Sequence, residues 1–525
     1  MPSTVRRDLW IIGVAAALVI LWVLFAGGGF PLDDSWIHQT YGRNLAQYGE
    51  WAYTPGIPST ASTSPLYTVM LAVGHWFGLP VALWTHGLGI LCLAVAGLAA
   101  ARMAERLLPG EKRIGLYAGL AIVASWHLLW AAAAGMETIV FSMFTLVLIW
   151  VAWRELDHDR PGWVSAVKGA EPLVPHLMRG ALFGIVAGLT TLARPEGALL
   201  VGLLGLALLI VRPGMSWHTL FVYGTSAVIA FIVVLAPYLI FNYQVTGGLL
   251  PNTAASKRAD LMVLFLTPYP QRVIDLLVPL SAGPQLLLLT GTLMFVIAQV
   301  RALPTERKRW LLLVPLAWSL ALVLLYAAYL PAYFQHGRYV IPALPTFIMC
   351  SVVGLALLAR WGRRVMLRRV LARAIIISTV GMYAVMALWL GMTTYARDVE
   401  IIDSEMVRAA YWITDNIPSD ELMAIHDIGA VGYFAPRTII DLAGLASPEM
   451  LERNLIPVEQ HGEAVYAYLR ERNVRYIMGF VDQLPGANPD DPRLCPVFRA
   501  RGDAAEVSAV NNMSVYRIAW DGVCS

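Results

Sequence analysis

Charge is what this chain has least of. Only 14% of its 525 residues are Asp, Glu, Lys or Arg, while 58% are hydrophobic and the mean hydropathy is +0.62. Soluble domains carry about a quarter charged residues, so the composition excludes a chain that is soluble throughout and calls for a polytopic α-helical membrane protein. A formal net charge of +3 offers no basic field, and no nucleic-acid partner is expected. Cysteine is scarce, with four in all. Cys92 and Cys350 lie in apolar runs and read as core thiols. Cys495 and Cys524 lie in the polar C-terminal part, free to pair if that part is outside the cytosol. Also missing are the GxGxxG and GxxxxGK[ST] loops that cradle nucleotides, and any obvious internal repeat.

Long apolar runs are plentiful. The first, Leu9 to Ala26, follows Arg6 and Arg7 and reads as a retained first span with its N-terminus inside. A cleaved signal peptide is the alternative, although Phe25-Ala26-Gly27-Gly28-Gly29 is a weak cleavage site. Residues 27–64 read as a polar loop. Residues 65–78 are too short to span and are expected as a helix at the outer interface, within a first outer loop of 27–80. Further spans are expected at 81–101, 114–132, 139–153, 180–193, 197–211, 218–241, 277–300, 311–329, 340–359 and 374–392.

Basic residues test that count, because cytoplasmic loops are enriched in Lys and Arg. Alternating from an inside N-terminus puts nearly every basic cluster on one side, including Arg102, Arg106, Arg160, Lys168, Arg301, Arg360 and Arg364. The scheme has about eleven spans and an outside C-terminus. From residue 397 onward charged residues become frequent and apolar runs shrink to strand length: Leu422–Ile425, Thr438–Asp441, Val474–Met478 and Val515–Ile518. Glu463 to Arg472 reads as an amphipathic helix between them. The expected organisation is a transmembrane domain, 1–396, and a soluble extracytoplasmic α/β domain, 397–525.

Polar groups collect on the expected outer face. Asp33 and Asp34 emerge directly after the first apolar run, costly unless they face water or a site. Ala193-Arg194-Pro195-Glu196-Gly197 breaks two short helices, a pattern that lines cavities. The same face receives His38, Arg43 and Asn44 from the first loop, Glu137 from the second, and Asn252 and Lys257 from the fourth. Arg338 and Tyr339 come from the fifth. Each has a plain structural alternative: Asp33 and Asp34 as helix caps, Arg194 paired with Glu196, Arg338 as an interfacial anchor. His38, His75 and His336 lack a metal-ligand spacing, and Asp427 beside Gly429 reads as a strand-end turn. The case rests on convergence. A carboxylate can take a proton from an acceptor hydroxyl while Arg and Lys hold a phosphate and its growing charge, so the chemistry suggested is group transfer from a lipid phosphate.

Asp33-Asp34 with Tyr41-Gly42-Arg43-Asn44-Leu45 and Ser62-Thr63-Ser64-Pro65-Leu66-Tyr67 resembles the first outer loop of the GT-C superfamily of polyprenyl-phosphate-sugar-dependent glycosyltransferases. Gly135-Met136-Glu137-Thr138, Ala193-Arg194-Pro195-Glu196-Gly197, Pro251-Asn252-Thr253 with Lys257, and Arg338-Tyr339 are similar to landmarks of its terminal arabinofuranosyltransferase-like branch. The tail motif Asp427-Ile428-Gly429-Ala430-Val431-Gly432-Tyr433 resembles that branch's soluble domain.

The resemblance implies an inverting plasma-membrane enzyme acting on the extracytoplasmic face. It would move one sugar, arabinofuranose or mannose-like, from a polyprenyl phosphate to a glycan, lipid or protein acceptor. By position Asp33 is the base, Asp34 the acid that follows it and Glu137 a second acid. Arg194, Lys257 and Arg338 are donor-phosphate contacts, and Arg43, His38, Glu196, Asn252 and Tyr339 lie with them. Some branches use a divalent cation; with no extended acidic cluster, no metal or other cofactor is expected here. The alternative class is a transporter of lipid-linked saccharides, which moves its lipid without cleaving the sugar–phosphate bond. Asp33→Asn is expected to abolish transfer in a folded protein, measured as release of free polyprenyl phosphate; full release from that variant would exclude the assignment.

Overall fold

A computed structural model describes residues 3–159, 173–249, 253–363, 365–450, 458–488, 490–501, 512–522 and 524. Arg160, Lys168, Pro251, Asn252 and Arg364 lie outside the described residues.

Apolar segments in lipid must satisfy their own backbone polar groups, which makes them helices. Among the described residues nine helices are long and apolar enough to cross a membrane, from Thr4–Phe25 to Met366–Asn416. Ile114–Val123 and Trp126–Ala133 form a pair bent by 54° that would make a tenth. The expected 197–211 segment forms a helix of 15 residues, Gly197–Val211, short for a span. The chain is thus a multi-pass membrane protein. Large aliphatic side chains such as Ile229, Val233, Leu293 and Ile377 stand exposed on these helices, as a lipid-facing surface requires. Inside the bundle small residues set the approach: a Cβ on Gly354 would overlap the backbone carbonyl of Gly291 on the neighbouring helix. Side-chain contacts anchor the start of the second arm of the bent pair. Trp126 Nε1 donates to the carbonyl of Ala282 at 2.6 Å, and His127 Nε2 lies 2.9 Å from that of Pro279.

The first loop is more ordered than its polar composition suggests. Asp34–Tyr48 is a 15-residue helix closed by Gly49 in the left-handed region. Trp36, Ile37 and Tyr41 give it an apolar face at helical spacing. A short hairpin follows, β1 (Ala52–Thr54) with β2 (Ile57–Pro58). Pro65–Trp76 is then a helix, close to the bounds expected for the interfacial one; Ser64 caps it by accepting from Tyr67 N, and Pro65 occupies its first turn.

The C-terminal part carries a mixed sheet of order β4-β3-β5-β7-β6. Its strands are β3 (Met423–Ile425), β4 (Ile439–Asp441), β5 (Tyr476–Gly479), β6 (Leu494–Arg499) and β7 (Ser514–Ile518). β3 runs parallel to β4 and β5, whereas β7 pairs antiparallel with β5 and β6. β6 escaped the sequence reading because Pro496 interrupts its pattern, which a strand tolerates at a sheet edge. Cys495 and Cys524 form a disulfide.

The boundary at 396/397 falls within the helical stretch Met366–Asn416, which runs from the bundle into the C-terminal part through π turns at Met386–Leu390 and Asp403–Val407. The two parts also share a core. Phe30, Trp36, Tyr41 and Tyr53 of the first loop are buried in one cluster with Ile425, Val431, Met478 and Val515. Trp36 packs edge-on to Phe434 at 4.6 Å between ring centroids.

Gly354→Leu is expected to lower the thermal unfolding midpoint in detergent by several degrees, since overpacking costs about 1–3 kcal/mol. Gly381→Ala, where a Cβ would meet nothing within 4 Å, should leave it unchanged.

Candidate active site

The first-loop carboxylates sit where two cavities meet. One, about 310 Å³, is lined by Asp34, His38, Glu137, Arg194, Lys257 and Arg338 together with apolar and aromatic side chains including Leu325, Tyr326 and Tyr339. The other, about 370 Å³, is lined by Asp33, Asp34, Trp130, His336, Asp398 and Asp427 among others. Asp34 and Arg338 belong to both walls.

Asp34 is held by two cations. Its Oδ2 lies 2.6 Å from Arg338 Nη2 and 3.2 Å from Lys257 Nζ. Burial alone would push its carboxyl up, but Lys257 and Arg338 outweigh that and hold it well below the usual carboxylate range. Tyr339 closes the group, its hydroxyl oxygen 2.9 Å from Arg338 Nη2 and 3.3 Å from Lys257 Nζ. Arg338 is buried, and its Nε and Nη1 have no hydrogen-bond partner among the described residues. Buried donors without a partner call for an explanation. The backbone before it is strained: Gln335 and His336 both take positive φ, 52° and 58°. Asp398 braces this turn, its Oδ2 meeting His336 Nε2 at 2.7 Å and Trp130 Nε1 at 2.8 Å.

Asp33 faces the other way. Its Oδ2 accepts from Gly429 N at 2.6 Å and its Oδ1 from Ala430 N at 2.8 Å, both from the C-terminal part. Gly429 is required there, because a Cβ would overlap the backbone carbonyl of Asp33. Burial, and then the nearby Asp427 charge, push the Asp33 carboxyl up to about 8, against the lowering pull of the two amides.

The other expected residues divide. Glu137, Arg194 and Glu196 form a network at the first cavity: Arg194 Nη1 donates to Glu137 Oε1 at 2.9 Å and Nη2 to Tyr326 Oη at 2.6 Å, with Nε 3.3 Å from Glu196 Oε2. Burial would raise the Glu137 carboxyl, but Arg194, with help from His38, holds it at about 2. His38 bridges Glu137 Oε2 and Ser62 Oγ, each at 3.2 Å. Arg43 is elsewhere. Its guanidinium donates to the carbonyls of Tyr433 and Gly432 at 2.9 and 3.0 Å, docking the C-terminal part onto the first loop. Asn252 lies outside the described residues.

Asp398, Trp130, Phe480 and Gln483 were not singled out from sequence, and Asp427 and His336 were read as structural; all line the second cavity. Asp427 does end β3 in a turn, so the local reading holds, but only the docking of the C-terminal part turns it toward Asp33. No pattern in the sequence flags Trp130, which lies in an apolar run. Among the described residues no group of three or more His, Cys, Asp or Glu is arranged to hold a metal ion.

A membrane helical bundle with a carboxylate pair at the mouth of two cavities defines a class, and comparison gives it a name: the fold is that of the GT-C glycosyltransferases. ArnT from Cupriavidus metallidurans, in a crystal structure bound to undecaprenyl phosphate, superposes with a TM-score of 0.60 at 13% identity, covering 98% of this chain and 99% of that one. AglB, an archaeal oligosaccharyltransferase from Archaeoglobus fulgidus in complex with an inhibitory peptide and a dolichol-phosphate, gives 0.55 at 11% identity, covering 98% and 75%. In sequence the chain is 30% identical over 268 residues to the terminal beta-(1->2)-arabinofuranosyltransferase of Mycobacterium tuberculosis. That match covers 49% of this chain and 39% of the relative, so less than half of the relative's length is represented. Residues 399–516 match the family described as Domain of unknown function (DUF8728). The first-loop resemblance to the GT-C superfamily and its arabinofuranosyltransferase-like branch is therefore supported in sequence and in fold.

One consequence concerns pH. An unfolded Asp has a pKa of about 3.9, whereas folded Asp33 stands at about 8. Between those values the folded chain keeps a proton that the unfolded chain releases. The stability Asp33 contributes is full below about pH 4 and is lost as pH rises through about 8. The thermal midpoint should fall across that window, and Asp33→Asn should flatten the fall.

Proposed function

We propose that this chain is an inverting glycosyltransferase that moves a single sugar from a polyprenyl phosphate to an acceptor hydroxyl at the extracytoplasmic face of the plasma membrane. The observation that carries the reading is Arg338: a buried guanidinium with two donors unpartnered among the described residues, beside Lys257, at the junction of a largely apolar cavity and a more polar one. A lipid-linked phosphate needs both kinds of surface, apolar wall for the lipid and cations for the phosphate. The bound undecaprenyl phosphate of ArnT and dolichol-phosphate of AglB support the same class of donor.

In this mechanism the phosphate sits on Arg338 and Lys257, with Tyr339 beside them. Asp34 holds the two cations in place beforehand. The acceptor hydroxyl enters from the second cavity and attacks the anomeric carbon. Asp33 takes its proton as the new C–O bond forms and the sugar–phosphate oxygen bond breaks. The electron pair leaves on the phosphate, where Arg338 and Lys257 stabilise it. With its pKa pushed up to about 8, Asp33 is a strong base once ionised, which suits a general base working at mildly alkaline pH. Arg194, shared between Glu137, Glu196 and Tyr326, orients the wall around the phosphate. Because Lys257 and Arg338 supply the positive charge, the reaction is proposed to need no metal ion. The Cys495–Cys524 disulfide supports an oxidising compartment for the C-terminal part. The relative's activity supports arabinofuranose as the sugar. No comparison supports the transporter alternative.

Arg338→Ala in detergent or nanodiscs should reduce release of polyprenyl phosphate from its sugar-linked form by at least about 100-fold, the scale of losing one transition-state donor. A chelator should leave the wild type unaffected. Release at the wild-type rate from Arg338→Ala would overturn the mechanism.

A further inference from the structure

The second cavity is built by both halves of the chain, and the C-terminal half brings side chains that the transfer step above does not use. Asp427 follows β3 and Gln483 follows β5, so the two neighbouring parallel strands deliver them side by side at the same sheet end. Gln483 Nε2 holds Asp427 Oδ2 at 3.2 Å, while its own Oε1 accepts from Phe480 N at 3.0 Å. His426 Nδ1 meets Asp427 Oδ1 at 3.2 Å. The first-loop carboxylates and Phe480 line the same cavity. The cavity joins the phosphate site through Asp34 and Arg338, the two residues common to both walls.

From this we infer that the C-terminal module carries an acceptor subsite for a neutral, hydroxyl-rich saccharide, with Asp427 and Gln483 as its specificity-determining residues and the half-buried Phe480 as an apolar wall for a sugar face. The inference rests on the transfer reading for the role of the bound sugar, not for its binding. Fixed carboxylate and amide groups bond a saccharide's hydroxyls, and an aromatic ring covers its C–H face. The sign of the charge selects further. Even with Asp33 protonated, Asp34, Asp398, Glu405 and Asp427 line the cavity against Arg338 and His336, and Arg338 already faces Asp34. An acceptor bearing carboxylates or phosphates would meet net repulsion there. The same module sets Asp33 in place through the Gly429 and Ala430 amides. Thus the segment that selects the acceptor also aims the base at it.

The test uses the full-length protein in nanodiscs and neutral arabino- and manno-oligosaccharides, with an oligogalacturonate of equal length as the anionic control. Binding is followed by saturation-transfer NMR without donor, and the acceptor KM is measured with donor. At least one neutral oligosaccharide should bind the wild type while the galacturonate does not. Gln483→Ala and Asp427→Asn should each raise the acceptor KM about tenfold, the scale of one lost hydrogen bond. Polyprenyl-phosphate affinity should stay within about twofold, showing that the fold and the phosphate site persist. Gln483→Leu, of similar volume, serves if either variant fails to fold. Equal binding by wild type and variants, or binding of the galacturonate as well, would overturn the inference. Gln483-dependent saccharide binding without any donor cleavage would keep the subsite and sink the transfer reading instead.

Discussion

Asp34 stands between Arg338 and Lys257, and most of the site depends on that ion triad. A lone carboxylate this far from bulk water is costly, and so is a lone guanidinium. Together they are stable, and they tie three distant stretches of chain to one point: the first loop, the Thr253–Asp260 helix and the strained turn before Tyr339. The triad carries two positive charges against one negative, so the balance still favours an anion. Arg338 keeps two buried donors without a hydrogen-bond partner among the described residues. On the proposed mechanism, the donor phosphate would take up that excess positive charge.

Asp33, one residue away, lives in a different environment. Its neighbours are backbone amides and another carboxylate, with no cation paired to it among the described residues. Adjacent acids in one loop are thereby driven apart: Asp34 is held well below the usual carboxylate range beside two cations, whereas Asp33 is pushed above it and faces the second cavity. Separation of that kind is what assigns acid–base roles to a pair of like residues. Here the separation is made by which half of the protein each carboxylate meets.

That dependence makes the C-terminal part an integral piece of the site. It shares a hydrophobic core with the first loop, is clasped by Arg43, and touches Asp33 through a glycine that admits no side chain. The continuous helical stretch Met366–Asn416 couples it to the bundle rather than leaving it on a linker.

Much of this was legible in the sequence. Run length and hydropathy dictate membrane helices, because lipid leaves an apolar segment no other way to satisfy its backbone. Basic clusters suggested an orientation, and Asp33-Asp34, Arg194, Lys257 and Arg338 stood out as charges at the ends of apolar runs, where each demands a reason. These are local properties, and local properties are what a sequence displays. Tertiary structure decided the rest. It sent Arg43 to a domain contact instead of a cavity, engaged Arg194 with Glu137 and Glu196, and placed His336 and Asp427 beside the acids. It also gave Asp33 and Asp34 opposite electrostatic fates. Those outcomes depend on which groups from remote parts of the chain come within a few ångströms, through distance and burial that no stretch of sequence contains.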